Sequence, residues 1–84
     1  MDTRRKRILY RAKHRGITET DRLLGGFADL RLHAMTDEEL GAFESLLDQG
    51  DNILMDWIMA DRHDDPDYAV NQVLQQIIRF KNSI

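Results

Sequence analysis

The sequence predicts an all-α fold, a small compact bundle of about five short helices. Apolar residues recur at intervals of three and four along most of the chain, which is the periodicity of one helix face. Capping residues and glycines separate these segments, and the chain contains a single proline. Its 84 residues are predicted to form one domain, 1–84, of which residues 1–6 are a candidate flexible basic N-terminus.

The first two helices are predicted on either side of a glycine turn. A first helix over about residues 4–14 is expected to end before Gly16, because glycine adopts the left-handed conformation that often follows a helix. Thr18 and Asp21 have the spacing of a capping box, so the second helix is expected to begin there. A Gly25-Gly26 pair inside it predicts close packing or a bend. The apolar residues of the two helices are Ile8, Leu9 and Ala12, and then Leu23, Leu24, Phe27, Leu30 and Ala34.

The third and fifth helices carry the most regular apolar stripes. Thr36 and Glu39 form a capping box for the third helix, which Gly50 is expected to end. The segment 65–66, Asp-Pro, is expected to open the fifth helix, since proline is tolerated at the first helical position. The stripes are Leu40, Phe43, Leu46 and Leu47 in the third helix, and Val70, Val73, Leu74, Ile77 and Ile78 in the fifth.

A fourth helix is predicted between these two, capped by Asp51 or Asn52. Residues 53–59 are apolar almost all round, which predicts the central buried helix of the bundle. Trp57 is expected in the core, and the alternative is an edge position that faces a partner.

The net charge of −3 conceals a division along the chain. Residues 1–15 carry seven basic side chains and one acidic one, whereas residues 16–84 carry five basic and fourteen acidic ones. Either the basic segment meets an anionic partner, a nucleic acid or an acidic protein surface, or the two parts of the chain attract each other. No uncharged apolar stretch approaches the ~20 residues of a membrane span, and no secretory signal is visible.

Residues that carry catalysis or bind metals are sparse. The absence of cysteine excludes disulfides, thiolate metal sites and cysteine nucleophiles. Neither serine lies in a nucleophile elbow. An acidic cluster has proline where an EF-hand loop needs glycine, and it is equally typical of a helix connection: Asp61, His63, Asp64, Asp65 and Asp67. The chain is therefore predicted to be a binding module and no enzyme, with no metal site and no tightly bound cofactor.

One local arrangement joins the first two helices, Arg15-Gly16-Ile17-Thr18-Glu19. Gly16 permits a tight turn and close approach of a partner's backbone. Arg15 and Glu19 can flank this turn as a hydrogen-bond donor fork and an acceptor. Ile17 between them is expected to be an exposed apolar knob. The alternative is a plain helix joint, in which Gly16 ends one helix and Glu19 favours the positive end of the next.

The stretch from Leu9 to Asp21 resembles the SdhE-type succinate dehydrogenase assembly factors, also called flavinylation factors. Their hallmark R-G-x-x-E motif is matched by Arg15, Gly16 and Glu19. The resemblance covers about residues 7–80. Later segments that are similar to the family are 23–29, 36–39 and 56–59.

The resemblance implies a five-helix protein that binds the flavoprotein subunit of succinate dehydrogenase, and in bacteria sometimes that of fumarate reductase. It implies that the protein promotes covalent attachment of FAD to a histidine of that subunit, so FAD is the partner's cofactor. By the same resemblance Arg15, Gly16 and Glu19 are the functional residues. The predicted partner-binding set adds Arg11, His14 and Ile17. A bacterial cytoplasmic protein, monomeric when free, is expected rather than a mitochondrial matrix protein, since no presequence is visible.

The alternative function is a small nucleic-acid-binding helical module that uses the basic first helix. Against it, the rest of the chain is acidic, and the second helix has only Arg22 and Arg31 as cations. A third interpretation, a structural subunit of a larger complex, predicts a permanent partner.

Overall fold

The computed structural model describes residues 2–61 and 67–83, and within them the chain forms α-helices and one short 3₁₀ turn. No strand occurs in these two ranges, so the all-α prediction is confirmed. The Cα radius of gyration is 11.6 Å, close to the ~12 Å expected of a compact chain of this length. The elements are α1 (Thr3–Lys13), α2 (Thr18–Arg31), the 3₁₀ turn (Leu32–Ala34), α3 (Asp37–Leu47), α4 (Asp51–Met59) and α5 (Tyr68–Asn82).

The core lies where α2, α3 and α5 meet, and α1 packs across α2. Phe27 of α2 is fully buried, and its ring meets those of Phe43 and Phe80 edge to face, at centroid distances of 5.6 and 6.0 Å. This geometry is favoured because the positive ring edge faces the negative ring face. The predicted apolar stripes of α3 and α5 are buried throughout, which confirms them.

Helix α4 is peripheral, and its prediction as the central helix is wrong. Of its nine residues only Leu54 and Ile58 are buried, whereas Ile53 and Met59 are 44% and 66% exposed. Trp57 is partly buried and packs against the core. A helix of nine residues makes about two and a half turns and presents one narrow stripe to the bundle, so Ile53 and Met59 face outward although they are apolar.

The ends of the later helices differ from those predicted. Helix α3 ends at Leu47, and Gly50 is the N-cap of α4 rather than the end of α3. Asp67 caps α5, and its side chain accepts a hydrogen bond from the backbone N–H of Ala69 at 2.9 Å. The predicted start of α5 at 65–66 lies outside the described residues.

The C-terminal end of α2 also differs from its prediction. Leu30 and Ala34, expected on the buried face, are exposed, and Leu32 and Met35 are buried instead. The 3₁₀ turn changes the helical register here, so a continued 3.6-residue period predicts the wrong positions. Arg5 of α1 fixes this turn, because its Nε and Nη2 donate to the carbonyls of Leu32 (3.0 Å) and Met35 (2.6 Å).

The Gly25-Gly26 pair marks two close approaches, as predicted. A Cβ at Gly25 would lie 2.9 Å from Cγ of Lys13, and one at Gly26 would lie 3.3 Å from Cζ of Phe80. The aliphatic part of the Lys13 side chain therefore packs directly against the α2 backbone at Gly25. Its Nζ pairs with Asp29 at 3.0 Å. These contacts set the crossing of α1 and α2, and with it the position of the turn that joins them.

Glu39 forms the predicted capping box and also links α3 to α5. Its Oε1 accepts from the backbone N–H of Thr36 at 3.0 Å, and its own N–H donates to the Thr36 hydroxyl at 3.2 Å. Its Oε2 accepts from Nε2 of Gln76 at 3.3 Å. The hydrogen bond from the Thr36 backbone, followed by that from Gln76, holds the pKa of Glu39 below its ordinary value.

Two leucines of α2 provide a matched test of the packing. Leu24 is fully buried, whereas Leu30 is 57% exposed. Leu24→Ala is expected to lower the free energy of unfolding by about 2–5 kcal/mol, and the melting temperature by roughly 10 °C or more. Leu30→Ala should stay within about 0.5 kcal/mol of wild type. Thermal unfolding followed by circular dichroism measures both, and equal losses would contradict this packing.

Acidification provides a test of the Glu39 contacts. Because the pKa of Glu39 is lower in the folded than in the unfolded protein, its carboxylate stabilises the fold fully above its ordinary pKa of 4.5. That stability is lost as the pH falls through the folded-state pKa. Glu39→Gln should therefore flatten the decline of unfolding free energy below about pH 5, measured by urea unfolding. Glu38→Gln, at an exposed position of the same turn, is the control. A decline as steep in Glu39→Gln as in wild type would contradict the assignment.

Candidate functional site

The sequence motif lies in the turn between α1 and α2. Helix α1 ends at Lys13, two residues earlier than Arg15, and Ile17 is the N-cap of α2. Gly16 lies between them with a φ of +96°, a conformation that side chains disfavour. No described atom outside its chain neighbours lies within 4 Å of a Cβ built at Gly16. The backbone therefore requires glycine here, and the space above it is open.

Hydrogen bonds close this turn on itself. Asp21 Oδ1 accepts from the backbone N–H of Arg15 at 2.7 Å. The Ile17 carbonyl accepts from the Asp21 N–H at 2.9 Å and from the hydroxyl of Thr20, which is fully buried, at 3.0 Å. The predicted capping box of Thr18 and Asp21 is wrong, because Thr18 is already helical and the Asp21 carboxylate reaches back to Arg15 instead.

The Arg15 side chain points into the protein and binds the connection between α3 and α4. Its Nε donates to Asp51 Oδ1, its Nη1 to the Leu47 carbonyl at 2.8 Å, and its Nη2 to the Gln49 carbonyl at 2.6 Å. Leu47 is the last residue of α3, and the last turn of α3 has no basic residue of its own. Asp51 is the first residue of α4. The guanidinium thus places a cation at the negative end of α3, beside a carboxylate at the positive end of α4.

The Arg15 guanidinium, which the sequence predicts to donate to a partner, therefore forms its hydrogen bonds within the chain. The side chains of Arg15 and Asp51 are only 9% and 14% exposed. Removing one member of a buried ion pair costs about 3–5 kcal/mol, because the other charge is left unpaired. Arg15 anchors the turn, and its side chain does not form the exposed surface.

The other motif residues are exposed. Ile17 is 50% exposed, as predicted, and the exposed side chain of Glu19 forms no hydrogen bond or ion pair with the described part of the chain. His14 is also exposed, and its ring stacks on Tyr10 at a centroid distance of 4.1 Å. Tyr10, which is 66% exposed, was not predicted from the sequence, although its spacing of four residues from His14 indicates their contact. We call these five residues the turn surface: Tyr10, His14, Gly16, Ile17 and Glu19.

The basic N-terminal segment faces acidic groups of the same chain. Arg11, predicted to bind a partner, pairs with Asp48 at 2.5 Å, and the Arg11 side chain is partly exposed while that of Asp48 is exposed. Lys6 and Arg7 are exposed. This distribution favours the interpretation in which the two oppositely charged parts of the chain attract each other, and no observation favours nucleic-acid binding. Within the described residues, the ion pairs that join this segment to later parts of the chain are Arg4–Asp37, Arg4–Glu44, Arg11–Asp48, Lys13–Asp29 and Arg15–Asp51.

The described residues offer no metal site. Among residues 2–61 and 67–83, no group of three histidine, aspartate or glutamate side chains is placed to hold an ion. In the acidic cluster before α5, residues 63–65 lie outside the described ranges. None of the described helices combines the length and apolar character needed to cross a membrane.

Gly16 and Gly41 provide a matched test of the turn's backbone. Gly16→Ala is expected to lower the free energy of unfolding by about 1–3 kcal/mol, because alanine is strained at this φ. Gly41 lies inside α3, where an added Cβ would make an ordinary contact of 3.7 Å with Arg4. Gly41→Ala should therefore raise the free energy of unfolding by about 0.5–1 kcal/mol. Urea unfolding measures both, and changes of the same sign would contradict the assigned conformation.

Comparison with known proteins gives consistent matches. A family model described as "Flavinator of succinate dehydrogenase" matches residues 6–81. The "FAD assembly factor SdhE" of Acetobacter pasteurianus is 47% identical over 55 residues, which cover 66% of this chain and 50% of that protein. The "Succinate dehydrogenase assembly factor 2, mitochondrial" of Saccharomyces cerevisiae is 35% identical over 86 residues, covering 99% and 53%. Its namesake in Caenorhabditis elegans is 36% identical over 83 residues, covering 95% and 69%. No solved structure matches.

The family match runs from α1 to α5 and includes the turn surface. The chain spans about half the length of the Acetobacter and Saccharomyces relatives. The resemblance noted in the sequence is thereby confirmed over nearly the whole chain, and the chain belongs to the family of succinate dehydrogenase flavinators.

Proposed function

We propose that this chain is an assembly factor that binds the flavoprotein subunit of succinate dehydrogenase and promotes covalent attachment of FAD to it. The observation that carries the proposal is an ordered, exposed turn at the family motif, in a chain that matches the family over residues 6–81. The corresponding subunit of fumarate reductase is a second proposed client. In this proposal residues 1–84 act as one domain and as a monomer, and FAD is the flavoprotein's cofactor throughout.

The proposed contact is made by the turn surface. Tyr10 and Ile17 expose apolar area, whose burial against a partner is favourable. Glu19 accepts hydrogen bonds from the flavoprotein, and the open space above Gly16 admits its backbone. Because Arg15 already holds the turn, little conformational freedom is lost on binding, which favours affinity.

The proposed mechanism acts through binding alone. The attachment chemistry belongs to the flavoprotein, its acceptor histidine and its bound flavin. A protein that binds one conformation of its partner more tightly raises the population of that conformation. Moving a 1:99 equilibrium to 99:1 requires about 5.5 kcal/mol of differential affinity. A few buried anchor residues, each worth about 2 kcal/mol or more, supply energies of that order, and Tyr10 and Ile17 are the proposed anchors.

Covalent flavin in the flavoprotein subunit, measured by in-gel fluorescence, tests this proposal. The subunit would be expressed alone, with the wild-type chain, and with the variants Ile17→Ser and Glu19→Ala. Wild type is expected to raise the fluorescence. Both variants should lower it by several-fold without loss of folding, since the substituted residues are exposed.

Leu30→Ser is the matched control. Leu30 is as exposed as Ile17 but lies roughly 20 Å away, at the other end of α2. The Leu30→Ser variant should give the same flavin fluorescence as wild type. The proposed function fails if wild type adds no covalent flavin to a folded subunit supplied with FAD. The proposed surface fails if Leu30→Ser loses as much as Ile17→Ser.

A further inference from the structure

We propose that Asp51 is a positioning residue for the turn surface: through its ion pair with Arg15 it holds the turn in the conformation that the partner binds. Asp51 lies outside the sequence motif, 36 residues beyond Arg15. The inference rests on the proposed function for the identity of the partner, the flavoprotein subunit. It assigns a functional role to a residue that does not form the exposed surface.

The Arg15 guanidinium is surrounded by hydrogen-bond acceptors. Three acceptors from one connection converge on it, namely the Asp51 carboxylate and the carbonyls of Leu47 and Gln49. Only Asp51 carries a full negative charge, and it is 14% exposed. A buried cation without a counter-ion is costly, so loss of this carboxylate favours rotation of Arg15 out to water.

Release of the Arg15 side chain would loosen the turn between α1 and α2. Its backbone is otherwise fixed by the Arg15 N–H bond to Asp21 and by the start of α2 at Ile17. Gly16 has no side chain to restrict it, so a released Arg15 lets the turn sample other conformations. The apparent affinity for a partner falls in proportion to the fraction of molecules in the binding conformation.

Asp48 supplies the control, because it forms the neighbouring ion pair of the same connection. It binds Arg11 at 2.5 Å, but the two side chains are 36% and 67% exposed. Water and salt screen such a pair, so its loss changes little. Asp48→Asn and Asp51→Asn therefore each remove one negative charge from the region between α3 and α4. Only Asp51→Asn removes the counter-ion of Arg15.

The first readout is amide hydrogen exchange measured by NMR. The N–H groups of Arg15 and Asp21 are both hydrogen-bonded in the turn and report its opening. If Asp51→Asn lowers the ordered fraction of the turn to about one tenth, the turn is open about nine-tenths of the time. These two amides are then expected to exchange at close to the unprotected rate, while the amides of α5 stay protected. Asp48→Asn should leave them unchanged. Unchanged exchange in Asp51→Asn would overturn the proposal.

The second readout is the dissociation constant for the isolated flavoprotein subunit. Asp51→Asn is expected to weaken binding about tenfold, and Asp48→Asn not at all. Wild-type protein that fails to bind the subunit would overturn the proposed function. The exchange experiment would still decide separately whether Asp51 orders the turn.

A double variant, Arg15→Met with Asp51→Leu, separates positioning from general stability. It removes both charges together and leaves none unpaired, so it is expected to recover the thermal stability that Asp51→Asn loses. It also lacks the donors for the Leu47 and Gln49 carbonyls, so the turn amides should still exchange fast and binding should remain weak. The exchange and binding of the double variant therefore test the role of Asp51 even if Asp51→Asn alone fails to fold. Wild-type affinity in the double variant would overturn the proposal.

Discussion

The guanidinium of Arg15 joins the end of α3 and the start of α4 to the turn between α1 and α2. A buried cation requires a counter-charge and hydrogen-bond acceptors, and here residues 47–51 supply the counter-charge and one acceptor for each guanidinium nitrogen. This requirement turns Arg15 inward. With Arg15 held and Gly16 in its left-handed conformation, Ile17 and Glu19 remain on the outside. One motif thus combines an internal anchor with an exposed surface.

The same arrangement accounts for the uneven charge of the chain. Four of the seven cations of residues 1–15 pair with carboxylates of α2, of α3, of the connection after α3 and of the start of α4. Most of these pairs are exposed and contribute little each, but they orient α1 on the bundle. The pair of Arg15 and Asp51 differs, because its side chains are only 9% and 14% exposed and solvent screens it less. A charge division that suggests a nucleic-acid partner in the sequence serves, in the folded protein, the packing of α1.

Local patterns predicted most of the fold, and contacts distant in sequence decided what they missed. The stripes of α3 and α5, the Thr36–Glu39 box and the close approach at Gly25-Gly26 all follow from neighbouring residues. The peripheral position of α4 could not be predicted in this way, because apolar composition alone does not determine which helix lies at the centre of a bundle. The turn at Gly16 and the exposure of Ile17 were predictable. The inward direction of Arg15 was not, because its acceptors lie 32 to 36 residues away.

Site-specific photocrosslinking would show whether the turn surface contacts the flavoprotein subunit. A photoreactive residue would replace Ile17 in one variant and Leu30 in another. Both positions are exposed, and they lie at opposite ends of α2. On irradiation with the purified flavoprotein subunit, the account predicts a covalent adduct from position 17 and none from position 30. An adduct from position 30 alone, or equal adducts from both, would contradict it.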